Sequence, residues 1–240
     1  MAIDARKRQK KLERKRAKEK AKRRQLAVRR SGGMASRLQA VAAAPILHCC
    51  AMADLWDAGI GEVLIGRRLN NGNVAFGVFL VDMYCLGVKN AFANILPLEE
   101  YQDRLYDRLA DRSEMIPLKP EAARKLVEGA VQYAADLGFS PHADYYKAKA
   151  IFGDISAESC HEEFRYGQDG QPVFANGPFD DMARCHYIIN TLTDRLGPDG
   201  FRCVLRLDNF GDTDNFGDID DMMEEDDLEG HFTLVDEDEE

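Results

Sequence analysis

The chain has 240 residues, 45% of them apolar, and a formal net charge of −10. That length suggests one or two domains with enough apolar residues for a core, and no apolar run reaches the roughly 18–20 residues a membrane span needs. The charge is segregated, which matters more than its total: residues 1–30 hold 15 Lys and Arg against 3 acids, residues 31–207 hold 17 against 23, and residues 208–240 hold 16 acids and no base.

Three parts follow from this: a basic arm over 1–33, a globular core over 34–207 and an acidic tail over 208–240. Residues 4–30 are rich in good helix formers, but only Leu12, Leu26 and Val28 are sizeable and apolar. With no stripe to bury, the arm is expected to be a nascent helix or disordered. Its basic character, with no apolar segment after it, does not read as a secretory signal. Ser31-Gly32-Gly33 is a plausible hinge, and residues 34–44 are a short helix or a linker.

Pro45–Met52 is expected to form a first strand, followed by a turn region around Trp56 and a second strand over Glu62–Leu69. Asn70-Asn71-Gly72-Asn73 signals a hairpin, because Asn and Gly tolerate the positive φ of tight turns. Val74–Val81 is then the antiparallel partner, apolar on both faces and so central. The apolar run VFLVDMYCLGVKNAF, Val78–Phe92, is expected to leave this strand through a short turn into a helix.

Pro97 opens a helical pattern lined by Leu98, Tyr101, Leu105 and Leu109. Pro120 opens a clearer one, with Ala123, Leu126, Val127, Ala130, Val131 and Ala134 on one face and Gly138 at its end. Ser140-Pro141 reads as the start of a helix to about Ile151. Glu163–Tyr166 and Pro172–Ala175 flank a Gly-Gln-Asp-Gly turn and suggest a second hairpin. A helix from about Phe179 to Leu196 and a last strand over Phe201–Leu207 complete the core. Strands and helices are grouped rather than alternating, which predicts an α+β fold with helices packed on an antiparallel sheet. The tail, with its near-repeat DNFGD-T-DNFGD, has the composition of a disordered segment.

The arm is the strongest functional feature. Arg6, Lys7, Arg8, Lys10, Lys11, Arg14, Lys15, Arg16, Lys18, Lys20, Lys22, Arg23, Arg24, Arg29 and Arg30 form a dense array that suits phosphate neutralisation. No aromatic residue interleaves with them, so the arm offers no base stacking. RNA or the ribosome is the expected partner, with an arm–tail contact in cis as a further possibility, and a solubility tail as the bland alternative. The arm lacks the apolar anchors of a membrane-surface helix.

Asp82, Cys85, Lys89 and His142 are the best enzyme-like group. Asp82 ends the central strand, Cys85 would be reactive only beside a cation, Lys89 could supply that cation, and His142 could act as a base. Against this stands a structural reading: Asp82 as a cap, Cys85 in the core and Lys89 solvated. A protein-interaction adaptor without chemistry is a third reading. No dinucleotide fingerprint or phosphate-binding loop occurs, and no cofactor is implied.

Metal binding is not expected. A calcium loop starting at Asp212 fails at Phe216 and Met223, two ligand positions. The neighbours His48-Cys49-Cys50, Cys160-His161 and Cys185-His186 lack the two-to-four-residue separation of zinc ligands. The six cysteines read as free thiols in a reducing, cytoplasmic compartment.

The stretches NGNVAFGVFLVDMYCLGVKNAF and LGFSPHADYYKAKAIFGD resemble the signature segments of an uncharacterised bacterial protein family that sometimes occurs beside SEC-C-type zinc-binding motifs. The resemblance covers roughly residues 45–155 and extends to GPFDDMARCHYIINTL. It implies a shared fold, no activity and no site residues. The SEC-C cysteine pattern is absent from this chain, and the arm and tail lie outside the resemblance.

Overall fold

A computed structural model describes residues 33–206. The arm residues Arg6 to Arg30 and the acidic tail over 208–240, including the rejected calcium loop, lie outside the described residues.

The fold is α+β. A helix over residues 33–41 (α1) leads into β1 (Ile46–Met52), a one-turn helix α2 (Asp54–Asp57), β2 (Ile60–Arg68), β3 (Asn73–Asp82) and β4 (Gly87–Pro97). Next come α3 (Leu98–Tyr101), a π-helical turn over Gln102–Tyr106, α4 (Asp107–Arg112), β5 (Met115–Pro117) and α5 (Pro120–Asp136). The chain continues through α6 (Tyr145–Ala148), a 3-10 turn over Lys149–Phe152, β6 (Val173–Ala175), α7 (Met182–Leu196) and β7 (Arg202–Val204). The main sheet is antiparallel throughout, in the order β4-β3-β2-β1-β5.

β3 is buried along nearly its whole length because both faces of the sheet are covered. Its alternate residues divide between two cores, as the two-residue period of a strand requires. Ala75, Phe79 and Val81 join Val63 and Ile65 under α5, α6 and the 3-10 turn. Val74, Phe76 and Val78 face Tyr101, Leu105 and Leu109 on the other side. Leu126 and Val127 of α5 are wholly buried, and each such side chain contributes about 2 kcal/mol of apolar transfer.

α5 starts at Pro120, where a missing N–H costs nothing, and stops at Gly138, whose φ of +97° suits a left-handed helix end. Its alanine-rich face lets the sheet come close. At Gly87, with φ of +68°, an added Cβ would lie 2.7 Å from the Ala130 carbonyl oxygen and 2.8 Å from the Ala134 methyl. Only glycine satisfies both the turn and this contact. On the opposite edge of the same core, Arg67 is buried and donates to the carbonyls of Ile151 (2.8 Å), Ala44 (2.7 Å) and Phe152 (3.0 Å). Its guanidinium fork joins β2 to the end of the α1 segment and to the 3-10 turn.

A third core lies beyond the β3–β4 turn, where Cys85 and Leu86 pack with Leu137, Phe139, Phe174, Cys185, Ile188 and Leu192. It belongs to the α7 layer, with α7 begun by the Asp181 carboxylate accepting the Arg184 N–H at 2.7 Å.

Several sequence expectations are corrected here. After the turn following Asp82 the chain forms β4, not a helix, since pairing with β3 buries VKNAF more completely than one helix face could. Ser140-Pro141 starts no helix: the His142 N–H donates to the Val88 carbonyl at 2.9 Å, and helical structure begins only at Tyr145. The second hairpin is reduced to a single Gln168–Gln171 bridge, and β6 pairs in parallel with β7. α7 begins at Met182 rather than Phe179, and Leu196 is exposed rather than part of its buried face. β5 has no apolar pattern of its own and is held by pairing with β1.

Gly87→Ala is expected to lower stability in urea unfolding by about 2–3 kcal/mol, combining positive φ with the α5 contact. Gly72→Ala, at φ +83° in open space, should cost about 1 kcal/mol. Equal losses would mean that α5 gives way without cost.

Candidate functional site

The turn between β3 and β4 gathers most of the polar residues singled out above. Asp82 is buried, and one of its carboxylate oxygens accepts the N–H groups of Tyr84 and Cys85, each at 2.9 Å. It is therefore a turn cap. Burial pushes its carboxyl above the ordinary range, opposed by the nearby Lys89 charge and by the backbone donors.

Lys89 owes its direction to a β-bulge. Leu80 pairs with Asn90 and Val81 with Val88, so Lys89 is the extra residue on β4. Bulges re-aim side chains in this way. Its ammonium lies 3.4 Å from Asp180 in the loop before α7. Asp180 also accepts the Gly177 N–H at 2.8 Å and pairs with Arg184 Nε at 2.7 Å. Lys89 is thus not a solvated lysine. It ties β4 to the Asn176–Asp181 loop.

Cys85 is wholly buried, and burial, with Asp82 adding to it, pushes its thiol far above the ordinary range. A thiolate nucleophile is disfavoured there. His142 joins this region through its backbone alone. Its ring nitrogen Nδ1 accepts the Asp144 N–H at 3.3 Å and lies 3.7 Å from the Asp144 carboxylate. The structure therefore brings Asp82, Cys85 and Lys89 together, while the His142 ring is engaged in its own loop. Together the contacts describe a structural set that fastens the turn to α7.

Tyr133, stacked on Tyr166 at 5.7 Å, has a buried hydroxyl without a hydrogen-bond partner among the described residues. Burial, reinforced by Cys85 and Asp82, pushes it up to about 12, so it stays neutral.

Two of the Cys–His neighbours differ in exposure. Cys160 and Cys185 are buried while His161 and His186 are exposed. His48 Nδ1 is 2.9 Å from the Tyr101 hydroxyl, and its ring stacks on Tyr106 at 4.1 Å. Among the described residues, no three His, Cys, Asp or Glu side chains converge as metal ligands would.

Beside the same turn lies a hollow of about 440 Å³, lined by Leu55, Trp56, Met83 and Tyr84 and by residues 163–165 and 167–169. Trp56 is 39% exposed and stacks on Phe164, with ring centroids 6.1 Å apart and planes 21° from parallel. Neither this hollow nor the role of Asp180 is legible in the sequence. An exposed lone tryptophan leaves no trace in periodicity, and Asp180 lies 91 residues from its Lys89 partner.

No protein-family model, curated protein or solved structure matches the chain.

Asp82→Asn keeps the acceptor oxygen and removes the titration. Because the folded pKa is raised, Asp82 contributes stability at low pH that is lost as pH rises from 3.8, its ordinary value, through the folded value. The variant is expected to flatten the fall in stability above about pH 4 and to be no less stable at pH 7. Lys89→Met, which leaves Asp180 with Arg184 as its cation and removes the charge that opposes the burial of Asp82, should cost about 2 kcal/mol in the same unfolding assay. A Lys89→Met protein as stable as the parent would remove the structural role assigned to the pair.

Proposed function

We propose that the protein associates with RNA, most directly with RNA-rich particles such as the ribosome, through Arg6 to Arg30 of its basic arm. The observation that carries this reading is the segregation of charge: 15 bases against 3 acids in residues 1–30, in a chain whose net charge is −10. Each phosphate neutralised releases condensed counterions, so such an arm binds polyanions strongly at low salt without reading sequence.

Residues 31–207 carry 17 bases and 23 acids, so the core adds no net attraction for a polyanion. It serves to position the arm. The 16 acids of the tail can occupy the arm in cis as a phosphate mimic, weakening non-specific binding in competition with RNA. The six cysteines, all free thiols, fit a reducing compartment such as the cytoplasm. Among the described residues, no helix is long and apolar enough to cross a membrane.

The test is co-sedimentation with ribosomes and total RNA over a salt series, with the full chain and a form lacking residues 1–30. About ten phosphate contacts would give a slope of log affinity against log salt near −7 to −9. Binding is expected to fall at that rate and to vanish without the arm. Absence of binding at low salt, or binding indifferent to salt, would refute the reading.

A further inference from the structure

The hollow beside the β3–β4 turn combines groups that the arm lacks. Trp56 offers a partly exposed indole face backed by Phe164, with Tyr84 half-buried alongside. The rim carries acceptors: the carboxylates of Asp169 and of Glu163, the latter 3.6 Å from Lys125, and the amide oxygen of Gln168, which accepts from Arg202 at 3.0 Å. Asp169 is the one non-glycine residue with positive φ among the described residues, at +56°, and its carboxylate is 92% exposed, 3.9 Å from Arg202. Arg165, also lining the hollow, is exposed and makes no ion pair or hydrogen bond among the described residues.

We propose that this hollow binds a guanine base of single-stranded RNA, with Trp56 as the stacking surface and Asp169 as the group that reads the base. The inference rests on the RNA reading of the arm and supplies its missing selectivity. Stacking on an aromatic side chain accepts any base. A carboxylate, which only accepts, discriminates. Guanine presents two adjacent donors, N1–H and the N2 amino group, to one carboxylate. Adenine and cytosine set an acceptor beside their amino donor, which a carboxylate repels, and uracil presents one donor between two carbonyls. Arg165 is the cation for the neighbouring phosphate, and the hollow's size lies within the usual range for small-molecule sites.

Trp56 is the only tryptophan of the chain, so its fluorescence reports this hollow directly. The full-length protein is titrated with GMP, AMP, CMP and UMP at about 0.5 M salt, where binding by the arm is suppressed. Saturable quenching is expected, tightest for GMP. Asp169→Asn, at an exposed position whose positive φ Asn tolerates, should weaken GMP by about 10-fold or more without changing the far-ultraviolet spectrum. The proposal is overturned by no saturable response to GMP at millimolar concentration, by equal responses to all four nucleotides, or by unaltered GMP affinity in Asp169→Asn. Quenching by a lysine-rich peptide but not by GMP would also overturn it, in favour of a cationic partner. Salt-steep RNA sedimentation with a silent Trp56 sinks the hollow and leaves the arm, whereas selective GMP quenching without salt-dependent sedimentation does the reverse.

Discussion

The constraint on which one end of the fold depends is the approach of α5 to the β3–β4 turn at Gly87. A single Cβ there would meet both the Ala130 carbonyl and the Ala134 methyl. Everything at that end of the molecule follows from the turn being held so tightly. Asp82 caps it from within, the bulge at Lys89 follows directly, and Lys89 then reaches the loop that starts α7. The third core closes over Cys85 and Leu86. The Arg67 fork performs a similar service at the other end of β3, where buried carbonyls of the 3-10 turn need donors.

This organisation changes the meaning of the polar residues clustered at the turn. Carboxylate, thiol and lysine within one short stretch resemble a reacting group when seen as a sequence. In three dimensions the carboxylate is engaged by backbone donors, the thiol is sealed from water and the lysine is matched to Asp180. Buried charges that are paired and hydrogen-bonded fasten loops, and replacing one partner alone is what makes them costly. Exposed side chains lie beside the turn, around Trp56. Proposed association with RNA therefore divides into two tasks, with charge held on the arm and shape held on the core.

Much of the fold was legible because its signals are local. The Asn-Gly hairpin, the apolar face of α5 and the face made by Tyr101, Leu105 and Leu109 each follow from a period or a turn residue within a few positions. VFLVDMYCLGVKNAF misled because a fully buried strand carries no alternation, and a run apolar on all sides suits helix and strand alike. Ser140-Pro141 misled because His142 joins β4 through its backbone, a long-range bond without a local sign. Of the candidate site, Lys89 was expected near Cys85 on a helix, whereas a bulge in the strand β4 directs it. Asp180 and the Trp56 hollow were not legible, since segments far apart in the chain create both.

Ultraviolet cross-linking of the full-length protein to RNA, with the linked peptides identified by mass, tests the central claim most directly. Cross-links are expected in the peptides covering residues 6–30 and in those containing Trp56 or Phe164, the arm cross-links fading as salt rises. Cross-links concentrated on α5 or α7, or none at low salt, would contradict it.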